Sequence, residues 1–96
     1  MIRHSALFLL KHPTGSDEEA SFLAALAGLR SIPGVEDFAI SRETSPKNPY
    51  SFAVSMRFAD QAAYDAYNAH ELHVRFVETR WVPEVAEFLE HDTAPL

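Results

Sequence analysis

Tyr67, His70 and His73 lie in one short stretch and carry side chains suited to proton transfer, and His4 near the start adds another imidazole. Imidazole titrates near neutrality and can take or give a proton at physiological pH. A tyrosine hydroxyl beside it steadies a developing enolate or orients a carbonyl. On one continuous helix, the six-residue step from Tyr67 to His73 turns the two side chains about 120° apart. Convergence needs a break around Asn68–His70, and the short polar residues there permit one. Without that break, Tyr67 is amphipathic cover for a core, with its hydroxyl in water. His73 shares a helical stripe with Phe76, Val77 and Trp81, which aims it inward. Two roles follow for it: a core histidine tying helix to sheet, which is the commoner, or a general base lining a pocket.

The remaining candidates are weighed the same way. His4 shares a strand face with Ile2, Ala6 and Phe8, so it is expected to be buried, as a structural tie or as a second pocket group. Phe8, Phe22, Phe76 and Trp81 are first of all core, and with His4 they are the candidate ligand contacts. His70 and His73 have a metal-ligand spacing, but a site needs a third converging group such as His4 or Glu71, and no metal is expected. His12 and His91 are expected to be solvated near strand ends. With three glycines, none in G-x-G spacing, a phosphate-cradling loop is absent, and no nucleophile triad stands out.

The elements that must position these residues follow from periodicity. Ile2–Leu10 reads as a strand whose end, Phe8-Leu9-Leu10, is apolar on both faces and needs cover on two sides. Ser16 followed by Glu19 is a capping box, predicting a helix over Asp17–Arg30 with Phe22, Leu23, Leu26 and Leu29 on one stripe. Val35–Arg42 and Tyr50–Phe58 read as strands. The second sets Tyr50, Phe52, Val54, Met56 and Phe58 against the small face Ser51, Ala53 and Ser55, with Arg57. Asp60 caps a helix over Gln61–Asn68, and a second helical pattern runs from Glu71 to Val82, ended or kinked by Pro83. Glu87–Thr93 is expected as a short, polar edge strand. The order strand–helix–strand–strand–helix–strand predicts an α+β, ferredoxin-like fold, a four-stranded antiparallel sheet with helices on one face.

Composition narrows the function classes. The 96 residues suit a single domain over 1–96, and a chain this size gains by sharing a core with a second copy. The absence of cysteine excludes disulfides, zinc–thiolate sites and thiol nucleophiles. Fourteen acidic against eight basic residues, with no basic run, argue against a nucleic-acid partner. No apolar stretch reaches the roughly 20 residues of a membrane span. Met1-Ile2-Arg3-His4 lacks the character of a signal peptide, so a cytoplasmic location is expected.

Several fragments, in order and spacing, also match a known pattern. They are Ile2-Arg3-His4 with Lys11, Ile32-Pro33-Gly34-Val35, Ser45-Pro46, Met56-Arg57-Phe58-Ala59-Asp60, and Tyr67-Asn68-Ala69-His70-Glu71-Leu72-His73-Val74-Arg75-Phe76-Val77 followed by Pro83 and Asp92. The chain thereby resembles the stress-responsive dimeric α/β-barrel family over nearly its whole length. The resemblance implies a ferredoxin-like monomer, two of which pack sheet against sheet into a barrel with helices outside. It also implies mixed functions: many members have no assigned activity, and a plant member cyclises a linear polyketide with a tyrosine and a histidine that map onto Tyr67 and His73. The family often has His-Pro-x-His, and Glu71 stands here at the proline position.

Two function classes follow, with enzymatic activity left open. The first is a homodimer that binds a small, partly apolar organic molecule between helices and sheet. The second is a cofactor-independent cyclase, lyase or isomerase in which His73 takes a proton α to a carbonyl and Tyr67 stabilises the enolate. A cofactor-free monooxygenase is a third, resting on fold analogy alone. A cavity of about 300 Å³ or more, faced by the imidazole and the Tyr67 hydroxyl, is the feature that favours chemistry over a filled core.

Overall fold

The computed structural model describes residues 1–96 and shows one sheet with helices on one face. Four antiparallel strands, β1 (Ile2–Leu10), β2 (Glu36–Arg42), β3 (Phe52–Phe58) and β4 (Val85–Thr93), lie in the order β2-β3-β1-β4. The helices are α1 (Asp17–Ala27), α2 (Gln61–Ala69) and α3 (Glu71–Phe76). No helix is long and apolar enough to cross a membrane. The ferredoxin-like arrangement expected from element order is the one observed.

Strand alternation decides which side chains meet the helices. On β3, Phe52, Val54, Met56 and Phe58 are buried, and across the ladder they oppose Phe8, Ala6, His4 and Ile2 of β1. The helix layer covers this face with Phe22, Leu26 and Leu29 after β1, and with Tyr64, Tyr67 and Phe76 after β3. Phe8 sits at its centre, fully buried, with ring centroids 5.8 Å from Phe22, 5.5 Å from Phe52 and 5.2 Å from Trp81. The opposite face carries Ser5, Leu7 and Leu9 of β1 beside Ala53 and Ser55 of β3, and Leu89 of β4, with no layer over it.

Local signals hold at the helix starts. Ser16 Oγ accepts from the Glu19 N–H at 3.2 Å, and Asp60 Oδ1 accepts from the Ala63 N–H at 2.8 Å. The Glu19 carboxylate reaches back one residue further than a capping box requires, to the Gly15 N–H at 3.2 Å. Gly15 takes φ +80°, a left-handed turn that suits glycine.

The structure corrects several expectations. The first helix leaves α geometry at Ala27 and continues as a 3₁₀ turn, Gly28–Ser31, where the Arg30 Nε–H donates to the Ala27 carbonyl. β4 is not short. Its ladder with β1 runs from Arg3↔Thr93 to Leu10↔Val85, because the full length of β1 offers backbone partners that its own polar side chains did not advertise. Pro83, expected to end or kink the helical pattern, lies one residue before its end at Glu84. A π-helical stretch, Val77–Trp81, follows α3, and the Val82 N–H bonds to the Val77 carbonyl. That shifts the ladder by one residue just ahead of the proline, which falls in a last turn, Val82–Glu84. His12 is not free in water either: its Nε2 pairs with Glu84 Oε1 at 2.7 Å. Arg80 Nε donates to the same carboxylate at 2.5 Å, and Arg80 also reaches Ser21 at 3.1 Å. The Arg80 hydrogen bond, more than the His12 one, holds the Glu84 carboxyl below the usual carboxylate range. This cluster ties the end of β1, α1 and the last helical turn together.

Removing the central ring should be costly. Phe8→Ala is expected to lower the unfolding free energy by about 3–5 kcal/mol, while Leu72→Ala, half exposed, costs less than about 0.5 kcal/mol. Urea denaturation followed by circular dichroism reads both, and equal losses would mean the core is not centred on Phe8.

Candidate functional site

The break that the Tyr67–His73 pair requires is present. α2 ends at Ala69, and His70 turns to φ −65°, ψ 138° before α3 begins at Glu71. His70 belongs to both helices: its N–H closes α2 on the Tyr67 carbonyl at 3.1 Å, and its Nδ1 caps α3 by accepting the Leu72 N–H at 3.1 Å. The turn thus forms with Glu71, not proline, at the first position of α3. The two helices then share one face toward the sheet. Tyr67 and His73 meet with ring centroids 4.5 Å apart, and the His73 Nδ1–H donates to the Asn68 carbonyl at 3.0 Å. That bond sets the tautomer and leaves Nε2 as the basic nitrogen.

Between these helices and the sheet lies a cavity of about 470 Å³. Its walls are mostly apolar, with Leu26, Leu29, Val54, Met56, Phe76 and Trp81 among them, and its polar groups are His4, Tyr64, Tyr67, Asn68, His73 and Glu90. Tyr67 is 2% exposed, and its hydroxyl has no hydrogen-bond partner in the protein, although no sealed side-chain polar atom lacks one. The hydroxyl therefore opens onto the cavity. Burial, and then the nearby Tyr64 and Glu90, push its pKa well above the ordinary tyrosine value, so it stays a proton donor. Burial also lowers the His73 pKa, against the opposing pull of the Asn68 carbonyl, which favours neutral imidazole at pH 7. A neutral imidazole nitrogen beside a protonated phenol is the arrangement that proton abstraction with oxyanion stabilisation uses.

A second polar group stands beside the first. His4 Nδ1–H donates to Asp92 Oδ1 at 2.5 Å, and the Tyr64 hydroxyl donates to Asp92 Oδ2 at 2.8 Å. Tyr64 oxygen and His4 Nδ1 are 3.0 Å apart. The β1–β4 register creates this group by placing His4 opposite Asp92. His4 is thus the buried tie expected of it, and it lines the cavity as well.

Of the candidates read from sequence, His4, Tyr67, His73, Phe76 and Trp81 come together around the cavity. Phe8 and Phe22 do not; both are fully buried in the core behind it, because an aromatic stripe has the same spacing whether it packs or lines a void. His70 points to its own helix cap, and no group of three His, Asp or Glu residues stands in metal-binding geometry. Tyr64, Asn68, Phe88, Glu90 and Asp92 were not anticipated. Tyr64 had a signal, lying one turn before Tyr67 on the same stripe. Of the β4 residues, Asp92 stands in the family pattern with no role attached to it, and Phe88 and Glu90 have no signal, since only pairing with β1 brings them near.

Residues 2–94 match the stress-responsive A/B barrel domain family. A Dabb-family protein with a ferredoxin-like fold from Mesorhizobium loti is 54% identical, with 99% of this chain and 96% of that one covered and a TM-score of 0.96. A dimeric ferredoxin-like protein of unknown function from Thermobifida fusca is 25% identical over 98% of this chain and 90% of that one, with a TM-score of 0.80. A hydroxynitrile lyase from Passiflora edulis shares the fold at 13% identity, with 99% and 93% coverage and a TM-score of 0.85. No curated protein matches the chain in sequence. The sheet, the helix layer over one face and the match across residues 2–94 lead to one conclusion: this chain belongs to the stress-responsive A/B barrel domain family.

Proposed function

We propose that the protein is a homodimer, each subunit of which binds a small, partly apolar organic molecule in the cavity between α2–α3 and the sheet. The observation that carries the ligand reading is the unfilled volume of about 470 Å³, walled by apolar side chains and faced by a few convergent polar groups. A core histidine with no chemical or binding role calls for no such space.

The dimer rests on the uncovered sheet face. Leu7, Leu9 and Leu89 stand there among serine and alanine side chains small enough for a second sheet to approach closely. The related Thermobifida fusca protein is described as dimeric, which supports the same assembly here. Light scattering should give twice 10.8 kDa, and Leu9→Glu should shift it toward 10.8 kDa. A monomeric mass for the unaltered protein at micromolar concentration would overturn the dimer.

One observation favours a second reading, proton transfer on the bound molecule. The His73 Nε2 and the Tyr67 hydroxyl both lack protein partners at the cavity. In that reaction, Nε2 takes a proton from the carbon α to a carbonyl while the phenol donates a hydrogen bond to the enolate oxygen. Deuterium exchange at the α-carbon of an aryl 1,3-diketone tests it. His73→Ala is expected to slow exchange about 10²–10⁴-fold and Tyr67→Phe by a comparable or smaller factor, with both variants folded. Exchange at the solvent rate with the unaltered protein would leave binding alone.

The pH dependence has a definite sign. Because burial lowers the His73 pKa below 6.5 in the folded protein, the unfolded chain binds this proton more readily. The contribution is present above the unfolded value and is lost as pH falls through the folded one. A histidine ring titration by NMR should show His73 titrating below 6.5, and any His73-dependent exchange rate should fall on the acid side of that value.

A further inference from the structure

The charges around the cavity are one-sided. Among its lining residues there is no lysine and no arginine, and the single carboxylate is Glu90. The basic residues of the chain are spent elsewhere. Arg80 holds Glu84, Arg57 pairs with Glu36 and Asp37, and Arg75 pairs with Glu71. Arg30 and Arg42 lie over the Phe38 and Phe52 rings, while Arg3, Lys11 and Lys47 are exposed and outside the lining. Glu90 reaches the cavity because the β1–β4 register sets it opposite Ala6, whose small side chain leaves the space open. Behind the wall, Asp92 adds a second carboxylate, already engaged by His4 and Tyr64.

We propose that the cavity selects its ligand by charge, admitting uncharged carbonyl compounds and amines and rejecting carboxylates, with Glu90 as the specificity-determining residue. This rests on the ligand-binding reading and adds the chemical class. The Tyr67 hydroxyl donates as readily to a neutral carbonyl as to a carboxylate, so it does not discriminate between them. What separates the two is the cost of bringing a negative charge out of water toward Glu90 with no lysine or arginine in the lining to offset it. Two like charges several ångströms apart at a partly solvated site repel by enough to change affinity about tenfold. A protonated amine gains from the same field.

Three ligands on one ring system provide the test: 2-naphthamide and its isostere 2-naphthoate, with 2-naphthylmethylamine, titrated at pH 7 and low ionic strength while the ring resonances of Tyr67 and His73 are followed. The amide and the amine are expected to bind, with 2-naphthoate about tenfold weaker than the amide. Glu90→Gln, at an exposed position, should fold normally and narrow that ratio to about threefold or less. Added salt should narrow it in the unaltered protein by screening. Naphthoate binding as tightly as the amide would overturn charge selection and leave the ligand cavity standing. An unchanged ratio in Glu90→Gln would overturn the role assigned to Glu90. Failure of all three ligands to shift the Tyr67 and His73 resonances would overturn the ligand-binding reading, and charge selection with it.

Discussion

At His70 the backbone leaves helical geometry for one residue, with ψ at 138°, and resumes it at Glu71. A continuous helix would turn Tyr67 and His73 about 120° apart. The break brings their rings to 4.5 Å and bends α2 and α3 around a shared space above the sheet. Its stability comes from ordinary capping, since His70 satisfies backbone groups of both helices. Asn68 contributes from the same turn by accepting the His73 Nδ1–H. One irregular residue therefore brings the pair together and, with Asn68, orients the His73 imidazole.

β1 supplies the other half of the site and most of the core. It lies between β3 and β4, and its buried residues His4, Ala6 and Phe8 differ sharply in size and chemistry. Phe8 closes one end by packing against Phe22, Phe52 and Trp81. Ala6 leaves room in the middle, and His4 presents a polar wall at the other end. A filled core and an open cavity thus share one strand. The π-helical stretch at Val77–Trp81 matters for the same reason, since it carries Trp81 between the Phe8 cluster and the cavity. Such segments interrupt the α ladder, and here the interruption also accommodates Pro83.

The polar groups are buried at little net cost because nearly all are paired. Asp92 accepts from both His4 and Tyr64, and Glu84 accepts from Arg80 and His12. The Tyr67 hydroxyl and the His73 Nε2, both at the cavity, have no partner in the protein. Each leaves hydrogen-bonding capacity facing an apolar void.

Much of this molecule was legible in the chain itself, where the deciding interactions are local. The alternation of Phe52–Phe58, the caps at Ser16 and Asp60, and the short polar residues at Asn68–His70 each act over a few residues, and each appears where its spacing places it. The same local logic placed His4 on a buried strand face and Tyr67 near His73 once a break was allowed. Where contacts are distant in sequence, only the fold decided. His4 and Asp92 are 88 residues apart, and His12 and Glu84 are 72 apart, so neither pair leaves a periodic trace. The length of β4 was set by the backbone of β1, not by its own mostly polar side chains. Phe8 and Phe22 share the aromatic spacing of Phe76 and Trp81, yet the first two are sealed and the latter line the void. Periodicity fixes the face a side chain occupies, whereas the space in front of that face depends on every other element packed against it.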